Sequence, residues 1–91
     1  MNLTTGIELT NNLTVHVTAV PHDRMRFDVK IEGMDVVQQT RLGREALRIV
    51  LAQFKATGRL QVKNVELSVP SAVERTMVCE RAEAVMREEI L

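Results

Sequence analysis

Few side chains in this sequence have the chemistry of an active site. The 91 residues include a single cysteine, Cys79, and two histidines, and they contain no glycine-rich phosphate-binding loop. Zinc sites, cysteine nucleophiles and hydrolytic triads each need several such groups held close together. We therefore predict a protein that is not an enzyme and that needs neither a metal ion nor a cofactor.

His16 and Asp28 form the best remaining pair for acid–base chemistry, because the strand register predicted below sets them opposite each other, away from the core. A carboxylate beside an imidazole favours the charged ring and can orient it as a base. The simpler interpretation is a solvated cross-strand pair of little energetic weight. Cys79 has apolar neighbours on a predicted helix, which favours a small buried residue over a reactive thiolate.

Charge is distributed unevenly along the chain, although twelve basic and twelve acidic residues balance overall. Residues 40–63 contain six basic residues and one acidic residue, for a net charge of +5. Residues 1–39 carry −2 and residues 64–91 carry −3. The overall neutrality argues against bulk affinity for polyanions, but it leaves room for a local, directional contact.

Most of this positive charge is predicted to lie along one face of a helix. At about 100° per residue, the basic residues 41, 44, 48 and 55 project from one side, and residue 59 continues the line if the last turn extends. We call this set the basic stripe: Arg41, Arg44, Arg48, Lys55 and Arg59. It is either an ordinary solvated face or a surface for an acidic partner. Like charges three and four residues apart repel mildly, which favours the second interpretation.

The first third of the chain alternates apolar and polar residues, which predicts antiparallel strands from residue 3 to residue 31. A three-residue loop over 10–12 would set Leu9 opposite Leu13, with Asn12 in a left-handed conformation. A second hairpin turns through residues 21–23, and a weak fourth strand covers about 35–39. The pairs predicted for the second hairpin are Ala19 with Met25, Val17 with Phe27, Val15 with Val29 and Leu13 with Ile31.

Two helices are predicted in the rest of the chain. Thr40 would cap a helix over residues 41–57, and Gly58 would end it in a left-handed conformation. Residues 60–69 form either one bulged strand or a hairpin, with the bulge or tight turn at Lys63 and Asn64. A capping box from Ser71 to Glu74 then begins a helix that continues to the C-terminus.

The final helix has apolar residues on two nearly opposite sides, of which only one can pack on the sheet. One side holds Val73, Met77, Ala84 and Leu91, and the other holds Val78, Ala82, Val85 and Met86. The side left over is either partly exposed, covered by a second copy in a homodimer, or covered by a partner protein.

These elements predict one α+β domain over residues 1–91, in which the helices pack on one face of an antiparallel β-meander of three or four strands. There is no tryptophan and no tyrosine, and Phe27 and Phe54 are assigned to the core. A reader of single-stranded nucleic acid that stacks bases on aromatic rings is therefore disfavoured. The N-terminus does not resemble a secretory signal and no apolar span is long enough to cross a membrane, so we expect a cytoplasmic protein.

The sequence thus favours a small interaction protein of adaptor or inhibitor type that binds a macromolecular partner, most simply a protein. The basic stripe would supply charge complementarity, and an exposed apolar face of the final helix, with Val78, Val85 and Met86, would supply the apolar contact. The alternative is a nucleic-acid-binding protein that uses the same stripe on phosphates.

Overall fold

The computed structural model describes residues 5–33 and 35–88, and it has the predicted α+β architecture. A four-stranded antiparallel sheet with the order β1-β2-β3-β4 is followed by a helix, a two-stranded hairpin and a C-terminal helix. The predicted strand start at residue 3 and the apolar residue Leu91 lie outside the described residues. The elements are β1 (Ile7–Glu8), β2 (Thr14–Ala19), β3 (Arg26–Glu32), β4 (Val37–Gly43), α1 (Arg44–Thr57), β5 (Arg59–Val62), β6 (Val65–Ser68) and α2 (Ala72–Glu88).

The turn between β1 and β2 has the predicted form. Ile7 pairs with Val15, and the Leu9 amide donates to the Leu13 carbonyl at 2.7 Å. Asn12 adopts a left-handed conformation with φ 66°. Asparagine tolerates this conformation better than most residues, so the local sequence is sufficient to specify the turn.

The register between β2 and β3 differs from the predicted one by two residues. Ala19 pairs with Phe27 rather than with Met25, and Val17 pairs with Val29. The connecting loop is longer than predicted, so Met25 lies outside the strand and is 58% exposed. A shift of two residues keeps every side chain on its original face, so the alternation of the sequence is equally compatible with both registers.

The fourth strand is longer than predicted, and the first helix begins later. β4 continues to Gly43, so Thr40 is not a helix cap and the predicted helix start at residue 41 is wrong. Thr40 and Leu42 pair with Val29 and Phe27 of β3, and Thr40 is buried. The local pattern of these residues favours a helix, but their pairing with β3 keeps them in the sheet.

The predicted C-terminal end of α1 is confirmed: Gly58 is left-handed with φ 78°, and its amide donates to the carbonyl of Phe54. The segment after it is a hairpin, in which Lys63 turns with φ 50° between β5 and β6. At the start of α2, the Ser71 hydroxyl accepts the Glu74 amide at 3.3 Å, as predicted. The Glu74 carboxylate accepts hydrogen bonds from Thr10, and not from the Ser71 amide as in a complete capping box.

The core lies between the inner face of the sheet and the two helices. Phe27 and Phe54 are fully buried within it, as predicted. Cys79 is buried as well and behaves as a small apolar residue. No helix in the described part of the chain is long and apolar enough to span a membrane.

Candidate functional site

A cleft of about 400 Å³ between α1 and α2 brings basic and apolar side chains together. We call it the interhelical cleft. It is lined by Arg44, Arg48, Leu51, Ala52 and Lys55 of α1 and by Glu83, Met86 and Arg87 of α2. Helix geometry explains this grouping, since residues three and four apart lie on one side of a helix.

Arg44 lines the cleft and is only 7% exposed. Its guanidinium donates to the Met86 carbonyl at 3.1 Å and to the Arg24 carbonyl at 2.8 Å. It also lies over the ring of Phe27, 5.0 Å from the ring centroid, where a cation is attracted to the π-face. The Met86 carbonyl belongs to the last turn of α2, where carbonyls lack an intrahelical donor and a cation is favoured.

The prediction that Arg44 presents its charge on an exposed helix face is therefore wrong. Its guanidinium joins the start of α1 to the end of α2 and to the loop between β2 and β3. Such a buried, hydrogen-bonded cation is a structural element of the fold, and both of its terminal nitrogens already donate to main-chain carbonyls.

The rim of the cleft carries the accessible positive charge. Arg48 pairs with Glu45 at 3.0 Å, an exposed contact one helical turn apart. Within residues 5–33 and 35–88, neither Lys55 nor Arg87 forms an ion pair. Glu83 is the single carboxylate among the lining residues, against four cations. The rim thus has an excess of positive charge over an apolar floor.

The floor of the cleft is formed by Leu51, Ala52 and Met86. Leu51 and Met86 are part of the core, whereas Ala52 is exposed and lets an incoming group approach α1 closely. Beneath the floor, the Cys79 thiol contacts the Leu51 carbonyl at 3.8 Å. Burial raises the pKa of this thiol, and the charge of Glu83 raises it further, which favours the protonated thiol over the thiolate.

The other members of the basic stripe lie elsewhere, and the prediction of a single helix face is wrong for them. Arg41 belongs to β4, where its Nε donates to Asp28 at 2.9 Å. This hydrogen bond, together with the charge of Asp28, raises the pKa of Arg41. Arg59 belongs to β5 and lies 3.8 Å from Glu66. The cause is the late start and the sharp end of α1, which leave only Arg44, Arg48 and Lys55 on the helix.

The apolar contact predicted on α2 also has a different location. Val78, Val85 and Met86 are buried in the core, so the expectation that they form an exposed face is wrong. The exposed side is the opposite one, where Val73 is 71% exposed and Met77 is 39% exposed. Both sides of α2 have similar apolar content, and packing against the sheet decides which one is buried.

His16 and Asp28 are not opposite each other. His16 pairs with Lys30 and Asp28 with Thr18, because of the two-residue shift in register. The His16 Nε2 atom lies 3.0 Å from Glu32, whose other carboxylate oxygen is 3.3 Å from Lys30. Hydrogen bonds from Lys30 and His16 lower the pKa of Glu32.

These outer-face groups line a shallow depression of about 230 Å³ with polar walls. A carboxylate that accepts hydrogen bonds from two neighbouring side chains is stabilised as the anion and is a poor proton acceptor. In the described part of the chain, no three His, Cys, Asp or Glu side chains are grouped so that they could hold a metal ion. The side-chain contacts on this face link β2 to β3 and β4 to β3.

Of the residues that α2 contributes to the cleft, the sequence pattern singled out Met86 but not Glu83 or Arg87. Glu83 and Arg87 are four residues apart, a spacing that places them on one helix face, but nothing local indicates that this face meets α1. Comparisons with protein families, with curated proteins and with solved structures find no match for this chain.

Proposed function

We propose that this protein is a non-enzymatic interaction protein of adaptor or inhibitor type, and that the interhelical cleft binds an acidic and apolar segment of a partner protein. The observation that carries the proposal is the pairing of an apolar floor with an excess of cations on the rim of the same cleft. Peptide grooves combine these two properties: apolar anchors provide contact area, and charges at the rim set orientation and association rate.

The dimensions of the cleft fit a few side chains of such a segment. A volume of about 400 Å³ accommodates one or two apolar side chains against Leu51, Ala52 and Met86. Carboxylates flanking these anchors would then lie near Lys55 and Arg87, whose charges are not neutralised by other described residues. Arg48 is available as well, because an exposed pair such as Arg48–Glu45 is weak and exchanges readily.

Nucleic acid is the alternative ligand, and the positions of the cations favour a protein over it. A phosphate track needs cations in a row, yet Arg41 and Arg59, which would extend the row beyond α1, lie on strands beside Asp28 and Glu66. The apolar floor offers no aromatic ring on which a base could stack.

The proposal is tested with a displayed library of random peptides selected on the immobilised protein. We expect enriched sequences that combine Asp or Glu with Leu, Ile, Phe or Met, because the cleft requires both. The charge-reversed variant Lys55→Glu/Arg87→Glu should bind the selected peptides at least about tenfold more weakly, since each rim charge contributes on the order of 1 kcal/mol.

The matched control is Lys63→Glu/Arg81→Glu, which makes the same change in net charge at exposed positions outside the cleft. This control should bind the peptides as the wild type does. Equal weakening by both double variants, or the absence of any enriched acidic and apolar sequence, would contradict the proposal. Salt-sensitive binding of short duplex DNA that is lost only in the cleft variant would instead support the nucleic-acid alternative.

A further inference from the structure

β4 is an edge strand whose outer side is open. It pairs with β3 through an unbroken register of seven residues, from Arg26 with Gly43 to Glu32 with Val37. It is last in the sheet order, and no other segment of the described chain pairs with its second side. A row of main-chain donors and acceptors therefore faces away from the sheet.

Two hydrogen bonds at the ends of β4 identify the residues that supply this row. The Gly33 amide donates to the Val36 carbonyl at 2.8 Å, and the Arg44 amide donates to the Met25 carbonyl at 2.7 Å. Main-chain groups alternate in direction along an antiparallel pair, so residues 36, 38, 40, 42 and 44 face β3. The outward main-chain groups belong to Val37, Gln39, Arg41 and Gly43.

This edge lacks the features by which proteins usually protect an open strand. Such strands are commonly short, bulged or covered, or they carry proline or lysine. β1, at the opposite edge, is two residues long, and the chain that follows it is held by Thr10 bonded to Glu74 of α2. β4 has seven residues, no bulge, no proline and no lysine. Its one charge, on Arg41, is paired with Asp28 inside the same sheet.

We propose that β4 pairs antiparallel with β4 of a second copy of this chain, about a two-fold axis at Thr40. In this register Val37 lies opposite Gly43 of the partner subunit, and Gln39 lies opposite Arg41 of the partner subunit. Each of the four outward-facing residues then exchanges main-chain hydrogen bonds, for about eight in total. The two sheets become one continuous sheet across the dimer.

The side chains select this register over its neighbours. An axis at Arg41 would oppose two like charges, and an axis at Gln39 would leave Gly43 unpaired. With the axis at Thr40, the 74% exposed Val37 lies over Gly43 of the partner subunit. There is room for it there, because the nearest atom to a Cβ built on Gly43 is the Met25 carbonyl oxygen at 3.8 Å.

The main test is sedimentation equilibrium from micromolar to sub-millimolar protein, with the variant Gln39→Pro. The Gln39 amide faces outward, so proline removes a donor of the dimer without removing a bond to β3. We expect a dimer for the wild type and a monomer with an unchanged circular dichroism spectrum for Gln39→Pro. The matched control Gln39→Ala keeps the amide and should remain dimeric. If Gln39→Pro does not fold, Val37→Lys tests the same edge with an exposed charge.

Amide hydrogen exchange followed by NMR locates the contact. We expect concentration-dependent protection of Val37, Gln39, Arg41 and Gly43, while the Glu8 amide, which faces outward at the β1 edge, serves as the unprotected reference. A wild-type monomer at all concentrations would overturn the proposal. So would a dimer that survives both edge variants, or one in which the four amides exchange as fast as Glu8. The cleft variant Lys55→Glu/Arg87→Glu should stay dimeric, which separates this outcome from that of the peptide experiment.

Discussion

The outer face of the sheet and the interhelical cleft are both rich in charge, but they differ in how that charge is compensated. On the sheet, Asp28 holds Arg41, and Glu32 lies between His16 and Lys30. In the cleft, Lys55 and Arg87 have no ion-pair partner among the described residues. Strands bring opposite charges together at fixed cross-strand positions, whereas α1 has a single acidic residue, Glu45, and it neutralises only Arg48.

The difference indicates which charges belong to the fold and which are available for a partner. A charge whose partners lie inside the molecule makes the fold depend on those partners, because a buried polar group left without them is costly, and it contributes little to binding. A charge without a partner contributes to the surface field and to association with an oppositely charged molecule. The two arginines of α1 differ in burial within about one turn, since the buried Arg44 guanidinium donates to two main-chain carbonyls and Arg48 has one exposed contact, with Glu45.

The largest expected effect is on stability, from Arg44→Met. The substitution keeps much of the apolar volume but leaves the carbonyls of Met86 and Arg24 without their donor and removes the contact with Phe27. We expect a loss of about 2–4 kcal/mol in the free energy of unfolding, measured by urea denaturation. Arg48→Met, the matched control one turn away, should change it by less than about 0.5 kcal/mol. Equal losses for the two variants would show that the buried contacts of Arg44 stabilise the fold no more than the exposed contact of Arg48 does.

A smaller effect is expected from charge reversal on the two surfaces. Arg41→Glu places a carboxylate beside Asp28 and should lower the midpoint of thermal unfolding, although less than Arg44→Met does. Lys55→Glu should lower the midpoint less than Arg41→Glu does, because it breaks no ion pair among the described residues and only places an anion in the exposed last turn of α1. Calorimetric scans of the two variants and the wild type measure the three midpoints. A lower midpoint for Lys55→Glu than for Arg41→Glu would contradict the difference drawn between the surfaces.

The smallest effect is a dependence of stability on acid pH that originates at Glu32. Hydrogen bonds from Lys30 and His16 lower the pKa of Glu32 in the folded state. The contribution of Glu32 to the free energy of unfolding is therefore complete above its pKa in the unfolded state. It is lost as the pH falls through its lower pKa in the folded state. We expect the thermal midpoints of wild type and Glu32→Gln to differ at neutral pH and to converge in acid. Parallel curves from pH 7 to pH 2 would assign the acid sensitivity to other carboxylates.

Local sequence was sufficient to predict the conformation wherever one residue type satisfies one backbone requirement. Asn12 and Gly58 adopt left-handed conformations, and Ser71 caps α2, as their positions predicted. The alternation of β2 and β3 likewise assigned Val15, Val17 and Val29 to the core face. These features depend on residues near in sequence, so they can be recognised without knowing what packs against them.

Long-range pairing decided the rest, because the local pattern permits more than one solution. Registers that differ by two residues bury the same face, and only the longer loop before β3 fixes the one observed, which separates His16 from Asp28. Residues 41–43 continue a helical pattern, but β3 holds them in β4, and this removes Arg41 from the basic stripe.

What the sequence determined by itself is the order of elements, the face that each strand buries and the uneven distribution of charge along a neutral chain. Tertiary structure decided which apolar side of α2 enters the core and which cations remain free. Val78, Val85 and Met86 are buried, and Arg44 is engaged, because α2 packs against α1 and the sheet. Burial and partner choice are properties of surfaces that meet in space, and a periodic sequence specifies each surface without specifying which surfaces meet.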